Sequence, residues 1–144
     1  MFLLRHASAG ERLSSPDIDR FRPLDQVGRA DALQLVWRLA DRELTRIVTS
    51  PLARCVETVR PLGERRRIVL ERREELLPDT PLEMVLRLLD DLPDSALVCT
   101  HREVIEQVFT GEIACEKGGA WVLGRLGSLW SPMEYLPPPS ATAD

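Results

Sequence analysis

Short apolar runs alternate with segments of helical spacing along the whole chain. Phe2-Leu3-Leu4 is a buried-strand pattern that ends at Arg5-His6 and passes into a small, polar stretch from Ala7 to Pro16. From Gly28 to Leu44, the residues Ala30, Leu33, Trp37, Ala40 and Leu44 recur at spacings of three and four, with Asp31, Gln34, Arg38 and Asp41 between them. That pattern predicts an amphipathic helix. Arg46-Ile47-Val48-Thr49 predicts a strand stopped at Ser50-Pro51, where Ser50 suits an N-cap and Pro51 a first helical position, for a helix from Leu52 to Leu62. Ile68-Val69-Leu70 is a third strand candidate, and Leu82, Val85, Leu86 and Leu89 mark a helix ended by Pro93-Asp94. Ala96 to Thr100 predicts a fourth strand, after which helical spacing resumes from His101 through Val104, Ile105 and Val108 to Gly111. Trp121-Val122-Leu123 and Ser128 to Tyr135 predict a hairpin at one edge.

Strand and helix in alternation predict an α/β fold, a three-layer α/β/α sandwich around a mostly parallel central sheet. Residues 1–136 are expected to form one domain and the Pro/Ser/Ala/Thr stretch 137–144 a disordered tail. In such a sheet, ligands bind beyond the carboxyl ends of the strands. Arg5-His6 lies just past the first strand, Ser50 to Arg54 past the second and His101 past the fourth, so both histidines of the chain fall on that edge.

Composition narrows the function classes. The chain has 144 residues, 44% hydrophobic and 29% charged, which suits one ordinary domain. With 19 Lys+Arg against 23 Asp+Glu the net charge is -4, so neither a nucleic-acid polymer nor an anionic membrane is an expected partner. Cys55, Cys99 and Cys115 are widely spaced with no C-x-x-C pair, which predicts no disulfide framework, no zinc knuckle and a reducing, cytoplasmic location. The apolar runs fall well short of the ~20 residues of a membrane-spanning helix. The opening Met1 to Arg5 is too short for the apolar core of a signal peptide.

Two imidazoles, two guanidiniums and a helix start on one rim make an anion site, with a phosphoryl group as the natural occupant. A neutral imidazole is a competent nucleophile toward phosphorus. Other phosphate chemistries fail on spacing. The sixth residues after the three cysteines are Pro61, Ile105 and Trp121, so the cysteine-phosphatase loop is absent. No G-x-x-x-x-G-K-[ST] occurs, and Asp17-Ile18-Asp19 follows a polar loop, which disfavours a phosphoaspartate enzyme. With both histidines placed, neither a metal nor a cofactor is expected.

The string Leu3-Leu4-Arg5-His6-Ala7 resembles the signature of the histidine phosphatase (phosphoglycerate mutase-like) superfamily. Arg22-Pro23-Leu24-Asp25-x-x-Gly28-Arg29-x-Asp31-Ala32 is similar to the segment opening the first helix in its small phosphohistidine-phosphatase branch. Thr49-Ser50-Pro51-Leu52-Ala53-Arg54-Cys55-x-x-Thr58 resembles the second block, Glu75-Leu76-Leu77-Pro78-Asp79 the middle segment, and Cys99-Thr100-His101 the second histidine. Lys117-Gly118-Gly119-Ala120-Trp121-Val122-Leu123 is also similar to the phosphatase domain of actinobacterial MutT-type proteins, and without a Nudix box the domain is expected to stand alone. Ala7 stands where Gly is commoner, and Arg102 where Gly or Asn usually follows the second histidine.

The resemblance implies a phosphoglycerate mutase-like fold and a metal-independent phosphatase in which His6 becomes phosphorylated. It further implies that Arg5, Arg54 and His101 surround the phosphoryl group, and that a carboxyl group such as Glu75 protonates an ester leaving oxygen. Ser8 and Ser50 either donate to phosphate or cap turns. The expected substrate is a phosphohistidine protein or a small phosphorylated compound. The alternatives are a nucleotide-type phosphate ester and, because of Arg102, a non-catalytic phosphate-binding domain. Mutase activity is disfavoured, since 144 residues leave little room for the insertions it needs. Oligomeric state is left open.

Overall fold

The computed structural model describes residues 1–142. Six strands, β1 (Phe2–Arg5), β2 (Arg46–Thr49), β3 (Leu70–Arg72), β4 (Ala96–Thr100), β5 (Ala120–Leu126) and β6 (Leu129–Leu136), form one sheet in the order β3-β2-β4-β1-β5-β6. The first four run parallel, while β5 is antiparallel to β1 and β6 to β5. The helices are α1 (Pro16–Asp19), α2 (Gln26–Arg38), α3 (Ala53–Arg66), α4 (Leu82–Asp90) and α5 (Arg102–Val108).

The period-2 alternation of the central strands builds the three layers. Leu3, Val48 and Val98 face Val85, Leu89, Val104 and Ile105 of α4 and α5. Phe2, Leu4, Ile47, Leu97 and Cys99 face Leu35 and Leu39 of the α2 region and Val59 and Leu62 of α3. Burying each such leucine contributes about 2 kcal/mol. All five residues of β4 are buried, as befits a strand with neighbours on both sides and helices on both faces.

Local differences from the sequence reading have identifiable causes. Helix α2 starts at Gln26, not Gly28, and buries Gly28, Asp31, Ala32, Leu35 and Val36, leaving Leu33 and Trp37 exposed. It carries apolar residues on both faces, so spacing alone does not choose between them. The inner face wins through its small residues, which let α2 approach the loop beneath. Trp37 instead lies under the Arg65 guanidinium, 5.3 Å from its ring. At α3 the N-cap position is Leu52, while the Ser50 hydroxyl caps the turn before it by accepting from the Leu52 N–H at 3.3 Å. The third strand shifts to Leu70–Arg72 because Ile68 is still leaving α3, its N–H donating to the Gly63 carbonyl.

The tail also departs from expectation. Pro139–Thr142 forms a short 3-10 helix on α2, where the Ser140 N–H and hydroxyl each donate to the Asp31 carboxylate at 2.8 Å. A buried carboxylate needs such partners, and Asp31 is only 4% exposed. Residues 143–144 of the expected tail lie outside the described residues.

The loop after β1 is pinned by one knot. Asp25 caps α2 by accepting from the Gly28 N–H at 2.8 Å, and its other oxygen accepts from the Ser8 hydroxyl at 2.6 Å and the Gly10 N–H at 3.1 Å. Ser8 lies so close to the helix that a Cβ on Gly28 would stand 2.0 Å from the Ser8 carbonyl oxygen. Gly28→Ala should therefore cost about 3 kcal/mol in urea-unfolding stability, since backbone has to move to admit one methyl. An unchanged midpoint would show that the loop does not rest on α2.

Candidate active site

Parallel pairing aligns three strand ends. Arg5 is in register with Thr100 and Thr49 with Cys99, so His6, Ser50 and His101 leave the sheet side by side. The His6 N–H donates to the Thr100 carbonyl at 3.1 Å and the Ser50 N–H to that of Cys99 at 2.9 Å, which carries the ladder one step past each strand. The two imidazoles are buried and meet edge to face, with ring centroids 5.5 Å apart.

His6 Nδ1 lies 2.8 Å from the Ala7 carbonyl oxygen. A carbonyl can only accept, so Nδ1 carries the proton and, in the neutral ring, Nε2 holds the free electron pair. Burial above all, together with the charges around His101, Arg54 and Arg5, lowers the pKa of His6 from 6.5 to about 3, against the opposing pull of the Ala7 carbonyl. The imidazole is thus neutral at ordinary pH. Ala7 is fixed in turn, its N–H donating at 2.9 Å to the Thr58 hydroxyl, which donates to the Arg54 carbonyl at 2.6 Å.

His101 Nε2 lies 2.8 Å from the Ser50 hydroxyl, and Cys55 Sγ packs against the same ring. Arg54 sits in the first turn of α3, where a cation opposes the helix dipole. It is 3% exposed, with Nη1 at 3.4 Å from the Asp19 carboxylate and 3.3 Å from the Asp19 carbonyl. Arg5 spends Nη1 on the Cys115 carbonyl at 2.8 Å. Burial lowers the pKa of both guanidiniums, yet arginine stays charged in proteins. The Nε of each is buried with no hydrogen-bond partner among the described residues.

Arg5, His6, Arg54 and His101 line one cavity of about 280 Å³ together with Gly10, Arg12, Arg22, Arg102, Glu103 and Lys117. Its chemistry is that of an oxyanion receptor with a nucleophilic nitrogen inside it. A second groove of about 560 Å³ shares Arg12, Arg54 and Glu103 with the cavity and runs between Leu13, Leu52, Leu77 and Pro78. Among the described residues, no group of three or more His, Cys, Asp or Glu side chains is disposed to hold a metal ion.

Three of the seven residues singled out in the sequence stand differently. Glu75 lies on the 3-10 turn Glu74–Leu76 with its carboxylate held by Arg73 at 2.5 Å, and it does not line the cavity. The carboxylate that does is Glu103, two residues past His101 and visible in the sequence as part of the His101-Arg102-Glu103 helix start. Ser8 gives its hydroxyl to Asp25, and Ser50 gives its own to His101. Arg12, Arg22, Lys117 and the Arg54 partner Asp19 were not singled out, because polar loops carry no spacing that marks a ligand.

Residues 1–77 match the histidine phosphatase superfamily (branch 1). An 8-oxo-(d)GTP phosphatase of Mycolicibacterium smegmatis is 29% identical over 96% of this chain, which spans about half (48%) of that protein's length. Among solved structures, the protein histidine phosphatase SixA complexed with tungstate superposes with a TM-score of 0.80 at 19% identity, over 98% of each chain. A mycobacterial glucosyl-3-phosphoglycerate phosphatase superposes at 0.73 and 16% identity, over 95% of this chain and 98% of its own. These two share the fold, and among the described residues no helix is long and apolar enough to cross a membrane. Matched over 77 of its 144 residues and carrying two histidines and two arginines around one cavity, the chain belongs to the histidine phosphatase superfamily.

Proposed function

We propose that His6 attacks phosphorus directly, without a metal ion, and that the substrate is a small phosphorylated compound. The observation that carries this reading is the hydrogen bond from His6 Nδ1 to the Ala7 carbonyl, which leaves Nε2 as a lone-pair donor among Arg5, Arg54 and His101. In the first step the Nε2–P bond forms as the P–O bond to the leaving group breaks. The ring becomes an imidazolium, whose Nδ1 proton remains shared with the Ala7 carbonyl. Arg5, Arg54 and His101 bind the three equatorial oxygens. In the second step water attacks phosphorus, the P–N bond returns its electron pair to Nε2, and inorganic phosphate leaves with the oxygen of that water.

Glu103, in place of Glu75, is the group placed to protonate a leaving oxygen, since it lines both the phosphoryl cavity and the groove beside it. Ser50 orients His101 rather than touching phosphate, and Ser8 fixes the loop through Asp25. A small leaving group is favoured by the groove, with its apolar walls at Leu13, Leu52 and Pro78, and by the nucleotide named for the 29% identical relative. A phosphohistidine protein is the competing substrate. The non-catalytic alternative rested on Arg102, and that side chain pairs with Glu106 at 3.3 Å. Residues 1–136 are read as the catalytic domain, and the three unpaired cysteines fit a cytoplasmic setting.

Assays of purified protein against phosphohistidine peptide, nucleotides and simple esters should rank a small compound highest by kcat/KM. A peptide in first place would overturn that part of the reading. Rapid quench during turnover should trap an acid-labile, alkali-stable phosphoryl adduct on His6, and His6→Ala should abolish both adduct and turnover. Excess EDTA should leave the rate unchanged; a loss restored by a divalent ion would contradict the mechanism.

Glu103→Gln should lower kcat/KM on alkyl phosphates by about 10²-fold while sparing p-nitrophenyl phosphate, whose leaving group departs unprotonated. Equal losses on both would remove Glu103 from the acid role.

The lowered pKa of His6 has a stability consequence. Between pH 6.5 and about 3 the unfolded chain takes up a proton at His6 that the folded chain refuses, so stability falls as pH drops through that window. The stability difference between wild type and His6→Gln should therefore shift by about 3 kcal/mol against wild type from pH 7 to pH 4. A constant difference would mean that His6 titrates normally.

A further inference from the structure

The cavity holds more positive charge than one phosphoryl group uses. A chain with a net charge of -4 gathers Arg5, Arg12, Arg22, Arg54, Arg102 and Lys117 around one space, against the single carboxylate Glu103 in its lining. The half-buried Arg5 and the buried Arg54 form the floor beside His6. Arg22 is consumed by the fold, its Nε held by Asp19 at 2.9 Å and its Nη1 by the Ala9 and Gly10 carbonyls. Three cations remain at the mouth. They come from three separate segments: Arg12 from the loop after β1, Arg102 from the first position of α5, and Lys117 from the loop before β5.

The neutralisation of these three is incomplete. Arg12 reaches Glu103 only at 3.9 Å, and Arg102 shares Glu103 at 3.9 Å and Glu106 at 3.3 Å. Lys117 has no ion pair among the described residues. Its backbone is nevertheless anchored beside the cavity, because the next residue is tied down. The Gly118 N–H donates to the carbonyls of both Arg5 and His6, and Gly118 has φ +85, a backbone state that disfavours a side chain there. Like charges are crowded in this way at a modest cost that an incoming anion reverses.

Resting on the phosphatase reading above, we propose that Arg12, Arg102 and Lys117 form a second phosphate subsite at the mouth of the cavity. The substrate class is then a diphosphate, in which the phosphoryl group attacked by His6 is joined to a further phosphate that these side chains hold. Hydrolysis breaks the P–O bond between the two phosphorus atoms on the side of the attacked one. The second phosphate leaves with the bridging oxygen, a group that departs without needing a proton from Glu103.

The test compares inorganic phosphate with methylenediphosphonate, whose P–C–P link is not hydrolysed, by calorimetric titration of the full chain. The diphosphonate should bind at least about tenfold tighter at low salt, and the advantage should shrink as salt is raised. Lys117→Met should cut that advantage to about threefold or less, weakening the diphosphonate more than phosphate, and Lys117→Arg should restore it. Phosphate binding with no preference for the diphosphonate, or a loss in Lys117→Met that is equal for both ligands, would overturn the subsite alone. Failure of both ligands to bind would overturn the phosphoryl site itself.

Discussion

Everything at the site depends on the parallel pairing of β1 with β4. Their register sets Arg5 opposite Thr100, so the next residue of each strand is a histidine, and the two rings come within 5.5 Å without any loop having to fold them together. The same pairing gives the His6 N–H its acceptor on Thr100 and holds the His6 backbone as rigidly as the sheet. A slip of one residue would reverse every side chain of β1, sending Leu3 to the α2/α3 face and Phe2 and Leu4 to the other. Core packing therefore enforces the geometry of the candidate site. Apolar burial selects the register, and the register places the imidazoles.

Around that fixed pair, the fold holds groups whose isolated states are unfavourable. A buried guanidinium in the first turn of a helix, such as Arg54, suffers both desolvation and the helix dipole, and Asp19 compensates it while also serving Arg22. Arg5 and Arg54 each keep one buried N–H without a partner. Such orphans are rare in folded proteins and cost about 1–3 kcal/mol apiece when nothing binds them. Under the proposed function an arriving phosphoryl group supplies the missing acceptors, and part of its affinity then comes from relieving a deficit built into the free protein. His6 follows the same logic. Its burial among cations keeps it neutral, which is the state a nucleophile requires.

Much of this was legible in the chain. The apolar runs at 2–4 and 96–100 correspond to β1 and β4, and the blocks containing Arg5-His6, Arg54 and His101 correspond to four residues of one cavity. Strands of a parallel sheet are buried on both faces, so short apolar runs report them faithfully. Helix faces were less legible. In α2, Leu33 and Trp37 lie outward while Asp31 lies inward, because the deciding contact is the Ser8 backbone on Gly28, a steric fact without a hydropathy signature. Carboxylates were the least legible. Glu75 and Glu103 are alike in sequence, and only the ion pair to Arg73 and the direction of α5 separate them. The serines show the same limit, since a hydroxyl beside a phosphate-binding block can serve the ligand or, as Ser50 does, the histidine.

The Lys117-Gly118-Gly119 segment shows how the edge hairpin contributes to the site. The antiparallel pairing of β5 with β1 extends the sheet by two strands and also brings the chain just before Ala120 to the carboxyl end of β1. There the Arg5 N–H donates to the Gly119 carbonyl, the Gly118 N–H reaches Arg5 and His6, and the Cys115 carbonyl accepts from the Arg5 guanidinium. A Cβ on Gly119 would stand 2.5 Å from the Tyr135 hydroxyl of β6, so only glycine lets the hairpin close this tightly. The parallel strands thus supply the two histidines and the antiparallel pair supplies the brace. The hairpin orients Arg5 from behind and carries Lys117 to the mouth in front, so a single edge of the sheet governs both the floor of the cavity and its entrance.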